Sequence, residues 1–427
     1  MILRAAWVFS IDAPALQDGA VCVHDGRIEW VRPWSAVSAD ERSAAVDLGR
    51  AALLPGLVNP HAHLELSCYA GQLPPGPLWT WLSGLLRLRE APDRAEREAR
   101  GVRDGAAQAL MHGTTCIGDI SRTGSAWRSL ADSPIRAVCF AELLSLATEP
   151  PRNPAELIAV LREVPQSDRR IAGVSAHAPY TVDAAGIAAS ISLAVQMERP
   201  WCAHWAETRE EVAFLSGMSD ALPPPIAAMA AAAGIGGHAG SPIGALEKLL
   251  ERAFGADADG RRRARTFSGA LAHCNYLDRE DIARLARLSM TVVYCPRAHE
   301  YYGHESHPLP LLLEAGVRVA LGTDSLAATP SMSLLEEARH VWKRVARGRV
   351  SPLLNPERLL RMITLDAARA LRLDDRIGSL RAGKQADLSA FPIRSDCAAN
   401  DALEAARALV ETAPLATGVW VDGVRVT

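Results

Sequence analysis

The sequence predicts an α/β fold, a (β/α)8 TIM-like barrel joined to a small β-sandwich domain built from both chain termini. Three observations carry that prediction. Short apolar runs alternate with stretches rich in Ala, Leu, Arg and Glu, the pattern of βα units around a parallel sheet. Each end of the chain holds two β-rich runs around an Asp-Gly pair, Asp25-Gly26 and Asp422-Gly423, the dipeptide favoured in a type I′ hairpin. Finally, 427 residues exceed one small domain but fit a large barrel with a satellite.

Taken in order, residues 20–24 and 27–31 form the first hairpin, and 418–421 and 424–426 form the last. Paired together they make one domain from segments 1–52 and 383–427, which leaves 53–382 for the barrel. Within it, eight strands are expected at 51–58, 114–119, 136–143, 171–177, 201–206, 269–273, 291–294 and 317–321. Outer helices are expected between them, as at 93–111 and 278–288. Segment 227–265 is Ala- and Gly-rich and weakly patterned, and reads as an elaborated connection with one helix at 246–254.

Composition narrows the function. Hydrophobic residues make up 49% and charged residues 22%, as in an ordinary globular protein. A formal net charge of −3 gives no reason to expect nucleic acid or an anionic membrane as partner. The basic cluster Arg261, Arg262, Arg263 and Arg265 is short and reads as a solvated loop. Eight scattered cysteines contain no Cys-x-x-Cys pair, and most sit in apolar runs, which fits free thiols in a reducing compartment. The N-terminus lacks signal-peptide features, and no apolar run approaches the roughly 18 residues of a membrane span. The expectation is a cytoplasmic protein, with a homodimer as the default assembly.

The chemistry is concentrated at strand ends. After the apolar run Leu53-Leu54-Pro55-Gly56-Leu57-Val58 come His61 and His63. Residues i and i+2 of an extended segment face the same way, about 7 Å apart, so both imidazoles can reach one ion at about 2.0–2.1 Å. His177 ends the fourth strand, His204 with Glu207 the fifth, His273 the sixth, and Asp324 follows the eighth. Core packing asks for apolar side chains at such positions, so their recurrence points to one shared site at the C-terminal face. Neutral imidazoles with one carboxylate suit a single borderline divalent cation, Zn²⁺ first and Fe²⁺ second. His61, His63, His204 and Asp324 are the expected ligands. Glu207 is placed to shuttle a proton and His273 to orient a water without ligating, while Asp324 can also accept from the nucleophile. A two-metal site would want a bridging ligand such as a modified lysine at the fourth strand, where the sequence has Ser175-Ala176-His177-Ala178-Pro179-Tyr180-Thr181.

These motifs, His61-x-His63, His204-x-x-Glu207, His273 and Gly322-Thr323-Asp324-Ser325, resemble the amidohydrolase superfamily, in particular its mononuclear deaminase and chlorohydrolase branch. Leu54-Pro55-Gly56-Leu57-Val58-Asn59 resembles that family's entry to the barrel, and Ala382-Gly383-Lys384-Gln385-Ala386-Asp387-Leu388 its return to the small domain. The resemblance implies hydrolytic removal of an amine, or less often a halide, from an aromatic nitrogen ring in a small-molecule substrate. His63-Leu64-Glu65-Leu66-Ser67, Tyr294-Cys295-Pro296-Arg297 and Gly322 to Ala327 are similar to aminodeoxyfutalosine deaminases, which act on a modified adenine nucleoside. His177, Glu65 and Ser325 are then expected at the substrate. Trp79, with Trp81 beside it, is expected to stack on a planar ring. His299, His304 and His307 line the pocket, bind a second ion or are solvated loop residues. The rival readings are a halide- or cyclic-amide-cleaving hydrolase on the same barrel, and a barrel that has lost catalysis and serves as a binding protein.

Overall fold

The structure is a computed structural model that describes residues 1–121, 125–146, 151–236, 240–393 and 401–427; His238 and Cys397 lie outside the described residues. Five strands open the chain, β1 (Ile2–Val8), β2 (Leu16–His24), β3 (Arg27–Pro33), β4 (Ala45–Asp47) and β5 (Ala51–Pro55). Eight follow, β6 (Leu57–Ala62), β7 (Thr114–Ser121), β8 (Arg136–Leu143), β9 (Arg170–Ala176), β10 (Trp201–Trp205), β11 (Ala270–His273), β12 (Thr291–Tyr294) and β13 (Arg318–Leu321). Three close it, β14 (Leu388–Pro392), β15 (Gly418–Val421) and β16 (Val424–Arg425).

The first and last groups form one sheet in the order β16-β15-β14-β5-β1-β2-β3, with β4 beside β1. Both hairpins form at the Asp-Gly pairs. Asp25 and Gly26 have φ of 46° and 73°, and Asp422 and Gly423 have 49° and 75°, the left-handed pair that a type I′ turn requires.

The middle group forms the barrel. Every neighbouring pair from β6 to β13 is parallel. A parallel bridge between Ala62 and Asp324 joins the last strand back to the first. Alternate residues face inward, where Val58, Cys116, Val138, Phe140, Ile171, Cys202, Val293 and Ala320 belong to one buried cluster. Their neighbours, such as Ile117, Cys139 and Val292, face the outer helices with Val102, Ile187 and Leu246.

Two expectations are corrected. The run 51–58 is not one strand, because β5 belongs to the terminal sheet and the barrel begins at Leu57. Gly56 makes that passage, since a Cβ there would lie 2.0 Å from Thr115 Oγ1. Among its described residues segment 227–265 holds three helices, Pro224–Ala232, Pro242–Phe254 and Ala258–Thr266, the second containing the one expected at 246–254. Ser241 caps the second through the Gly244 amide at 3.2 Å and Asp257 the third through Gly260 at 2.7 Å, with Pro242 pre-set in the first turn. The arginine cluster thus sits on a helix and not in a loop.

At the opposite end of the barrel from the strand C-termini, Arg136 is fully buried and pairs with Asp387 at 3.0 Å and Asp422 at 2.7 Å. Both partners belong to the terminal sheet region, so the Arg136 guanidinium fastens the two sheets, with Arg169 reaching Asp422 at 3.5 Å beside it. Among the described residues the seven cysteines are free, and no helix is long and apolar enough to cross a membrane.

Candidate metal centre and active site

The inward face of the barrel strands continues, at their C-terminal ends, into polar side chains. Cys202 faces in and so does His204; Ile171 faces in and the same parity reaches His177; Ala320 leads to Asp324. The backbone leaves regular geometry at this rim. Ala206, His273, Cys274 and Asp324 all take positive φ, at 49°, 71°, 51° and 61°. Non-glycine residues are held there only at a cost, and such strain gathers where side chains must be aimed.

The histidines converge. His63 Nε2 lies 3.2 Å from His204 Nε2 and 3.9 Å from Asp324 Oδ1. Ligand atoms of His61, His63 and Asp324 fall within 4.8 Å of one another, and so do those of His61, His204 and His273. A tetrahedral cation with bonds of about 2.1 Å spaces its donors by roughly 3.4 Å, which this cluster brackets. The His204 amide and its Nδ1 both donate to the His177 carbonyl oxygen at 2.9 Å, which fixes the proton on Nδ1 and leaves Nε2 as a lone pair aimed inward. His61 Nε2 is buried with no hydrogen-bond partner. Burial, reinforced by the other imidazoles, holds His61 and His63 well below the ordinary histidine range, and burial takes His204 down to about 4. Neutral, desolvated imidazoles with one orphaned nitrogen are what a cation would need. The donor set therefore fits one divalent ion.

Asn59 holds the seam beneath the cluster. Its Nδ2 donates to Thr323 Oγ1 at 2.8 Å, and its Oδ1 accepts the amides of Thr323 at 3.3 Å and His61 at 3.4 Å. Burial raises the Asp324 carboxyl to about 7.

Glu207 stands opposite. Its carboxyl Oε1 is 3.5 Å from His273 Nε2. Burial, then the nearby Asp324 and Glu211 carboxylates, push it well above the usual carboxylate range. The backbone of Glu207 is clamped from both sides, its amide donating to Glu211 Oε2 at 2.9 Å and its carbonyl accepting Asn275 Nδ2 at 3.0 Å. His307 Nε2 reaches the His273 carbonyl at 3.0 Å while its ring stacks on Tyr294 at 3.8 Å between centroids. His299 and His307 are buried, so neither is a solvated loop residue.

These groups open into a cavity of about 380 Å³. His63, His177, His204, Glu207, His273 and Asp324 form its polar end, and Leu78, Trp81, Leu85, Ile226 and Met229 an apolar wall. Glu65 lines it too, receiving Ser121 Oγ at 2.5 Å and facing Arg89 at 3.9 Å. Trp79 and Ser325 do not line it. Trp79 sets its ring edge-on to Tyr180 at 5.3 Å, and the wall position is held by Trp81, whose indole N–H donates to Ala327 O at 3.2 Å. The helix Leu78–Leu88 turns Trp81 inward and leaves Trp79 at its flank. Ser325 is buried behind the mouth, its carbonyl accepting the Ala328 and Thr329 amides. Glu142, at the end of β8, lines the cavity and was not singled out from the sequence. The parity Val138, Phe140, Glu142 is the signal that finds it.

Residues 52–426 match the amidohydrolase family. A 5-methylthioadenosine/S-adenosylhomocysteine deaminase of Saccharophagus degradans is 26% identical over 99% of this chain and 90% of its own length. An adenosine deaminase of Xanthomonas campestris, crystallised with bound zinc, superposes with a TM-score of 0.79 at 26% identity, covering 99% of this chain and 92% of that one. The aminofutalosine deaminase of Helicobacter pylori has the same fold, with a TM-score of 0.82 at 21% identity over 100% of this chain and 99% of that one.

Proposed function

The chain belongs to the amidohydrolase family, and from that premise we propose that it is a metal-dependent hydrolytic deaminase. It removes the exocyclic amine of an aminopurine nucleoside or close relative and releases ammonia. One observation carries the reading: the buried carboxyl of Glu207 faces His273 at 3.5 Å in the wall of a cavity shared with the convergent His63, His204 and Asp324. The relatives' names support the purine substrate, and the zinc in the Xanthomonas campestris neighbour supports Zn²⁺ as the ion.

In this reading His61, His63, His204 and Asp324 hold the cation. Such an ion, when bound, makes water acidic enough to act as a nucleophile near neutral pH. Glu207 gives its proton to the ring nitrogen beside the amine-bearing carbon as water adds to that carbon. The Glu207 carboxylate then takes one proton of the water and hands it to the amine, the C–N bond breaks as ammonia leaves, and the remaining hydroxyl proton passes to the Glu207 carboxylate as the carbonyl forms, which restores the acid. His273 Nε2 orients the water, and the Asp324 carboxylate accepts its second hydrogen bond. The apolar wall of Leu78, Trp81 and Leu85 keeps bulk water out and strengthens each of these charge interactions.

The test is product identity. The zinc-loaded enzyme is offered adenosine, 5′-methylthioadenosine, S-adenosylhomocysteine, aminodeoxyfutalosine, guanine, cytosine and a chlorotriazine. Ammonia from an adenine nucleoside supports the reading; chloride or a ring-opened carboxylate in its place would replace it with a rival hydrolase.

A further inference from the structure

His273 is held in a conformation that its own strand does not supply. On the β10 side the register of β11 runs on to His273, paired with Trp205, whereas on the β12 side it ends one residue earlier, at Ala272 and Val293. The Cys274 amide donates to the Trp205 carbonyl at 2.9 Å and back to the Ala272 carbonyl at 3.1 Å, across His273 at a φ of 71°. A hydrogen bond from residue i+2 to residue i over a positive central φ closes a γ-turn of the rare, strained hand. Cys274 follows at 51°. The turn leaves the His273 carbonyl beyond the end of the β11–β12 ladder, where a buried oxygen needs another donor.

His307 is that donor, at 3.0 Å through Nε2. A carbonyl only accepts, so Nε2 carries the proton, and Nδ1 is buried with no hydrogen-bond partner. The ring is fixed on its face and its edge. It lies on Tyr294 at 17° from parallel, and His299 stands edge-on to both rings, at 5.9 Å from His307 and 5.5 Å from Tyr294. The backbone is fixed too, because Pro308 opens the helix Leu309–Glu314, whose Leu309 and Leu312 are fully buried.

The peptide between His273 and Cys274 is therefore gripped at both atoms, its N–H by two carbonyls and its oxygen by one imidazole. The same turn carries the His273 ring into the cavity wall, 18° from parallel with His204 and with Nε2 facing Glu207. Released at the oxygen, the peptide can rotate toward an unstrained conformation and take the ring with it. We propose that His307 is a positioning residue: it holds His273 in its strained turn, and with it the imidazole that orients the attacking water. That last role rests on the deaminase reading. The expected ligands His61, His63, His204 and Asp324 belong to other strands, so a fault at His307 should spare the metal and slow the chemistry.

The experiment compares His307→Phe, which keeps a flat ring against Tyr294 but has no donor, with His307→Gln, whose amide N–H can reach the same carbonyl. Both are zinc-loaded and assayed for ammonia release from adenosine. His307→Phe should keep its metal and a KM within about twofold while kcat falls roughly 10- to 100-fold, the scale of a misplaced catalytic group. His307→Gln should recover most of that loss. In a His273→Gln background, His307→Phe should lower kcat no further, since a residue acting through His273 has nothing left to position. Wild-type kcat in His307→Phe, a His307→Gln enzyme equally slow, or the full loss repeated in the His273→Gln background overturns the proposal. Long-range ¹H–¹⁵N spectra of the histidine rings in the zinc-loaded wild type need neither turnover nor the Phe variant. His307 should carry its proton on Nε2; a proton on Nδ1 alone overturns the proposal. A wild type that releases no ammonia from any nucleoside, but shows the Nε2 proton and His273 ring signals that shift in His307→Phe, would overturn the deaminase reading and leave the positioning standing.

Discussion

The amide of Asp324 donates to the carbonyl oxygen of His61 at 3.2 Å, joining the two strands that open and close the barrel. This one bond sets the last expected ligand beside the first two. A cation held by His61, His63 and Asp324 therefore bridges the seam of the barrel, and its removal should loosen that seam. Binding to the folded state alone stabilises by about 4 kcal/mol when the free ion is a thousandfold above its Kd. Dialysis against a chelator should lower Tm by several degrees and abolish activity, with Zn²⁺ restoring both. Calorimetry of the apo and reloaded protein checks this, and an unchanged Tm would mean that the ligands do not meet around an ion.

Glu207→Gln tests the proton shuttle. The amide keeps the shape of the side chain and leaves the Asn275 and Glu211 contacts to the backbone of residue 207 in place. It cannot give up and regain a proton. The variant should bind metal stoichiometrically while kcat falls by about 10²–10⁴. Elemental analysis and ammonia release, run on one preparation, decide it; normal turnover would transfer the shuttle to another group.

Much of the convergence at this site is legible in the sequence, for a reason visible in the residues. His61, His63, His204, His273 and Asp324 stand where apolar runs end, and a polar residue there has no packing role to explain it. What was less legible depended on which way a side chain turns. Trp79 and Trp81 are two apart on a helix, so nearly opposite faces were open to them, and only packing of the helix Leu78–Leu88 assigns Trp81 to the wall. Glu142 was hidden inside the strand run 136–143, although counting by twos from Val138 reaches it. Of the three helices between 224 and 266 only the one around 246–254 is read from the pattern; the alanines of Pro224–Ala232 blur the apolar–polar contrast, and Ala258–Thr266 has almost no apolar face, so its cap Asp257 is the better signal.

His307 predicts an acid sensitivity. Burial holds its imidazole down to about 4, and the contact to the His273 carbonyl offsets only part of that. The unfolded chain takes up this proton below about 6.5. A base with a lowered folded pKa contributes stability that is present above the unfolded value and lost as pH falls through the window from about 6.5 to 4. Each pH unit inside it removes roughly 1.4 kcal/mol. The other buried histidines share the sign, so the measurement is a difference. Urea unfolding of wild type and His307→Gln at pH 7.5 and about 5 should show the wild type losing roughly 2 kcal/mol more than the variant; parallel losses would mean that this ring is already charged in the folded protein.

Arg136 offers the sharpest test of how the barrel is fastened to the terminal sheet. It is fully buried between Asp387 at 3.0 Å and Asp422 at 2.7 Å, and the Asp387 carboxylate also accepts the Asp422 amide at 3.0 Å. Removing the guanidinium leaves the Asp387 charge buried without its counter-ion, the case in which breaking an internal ion pair costs most, about 3–5 kcal/mol. Arg136→Met keeps much of the side-chain volume and removes only the charge and its hydrogen bonds, so its loss reads the pairing and not a cavity. Neutralising the partner as well, in Arg136→Met/Asp387→Asn, takes away the orphaned charge. Part of the lost stability should then return, and the amount returned measures how much of the penalty was uncompensated charge. A single variant as stable as wild type in urea would show that water reaches Asp387 when the arginine leaves, and that the remaining contacts, the hydrogen bond from Ser389 Oγ to the Gly113 carbonyl among them, hold the two sheets together.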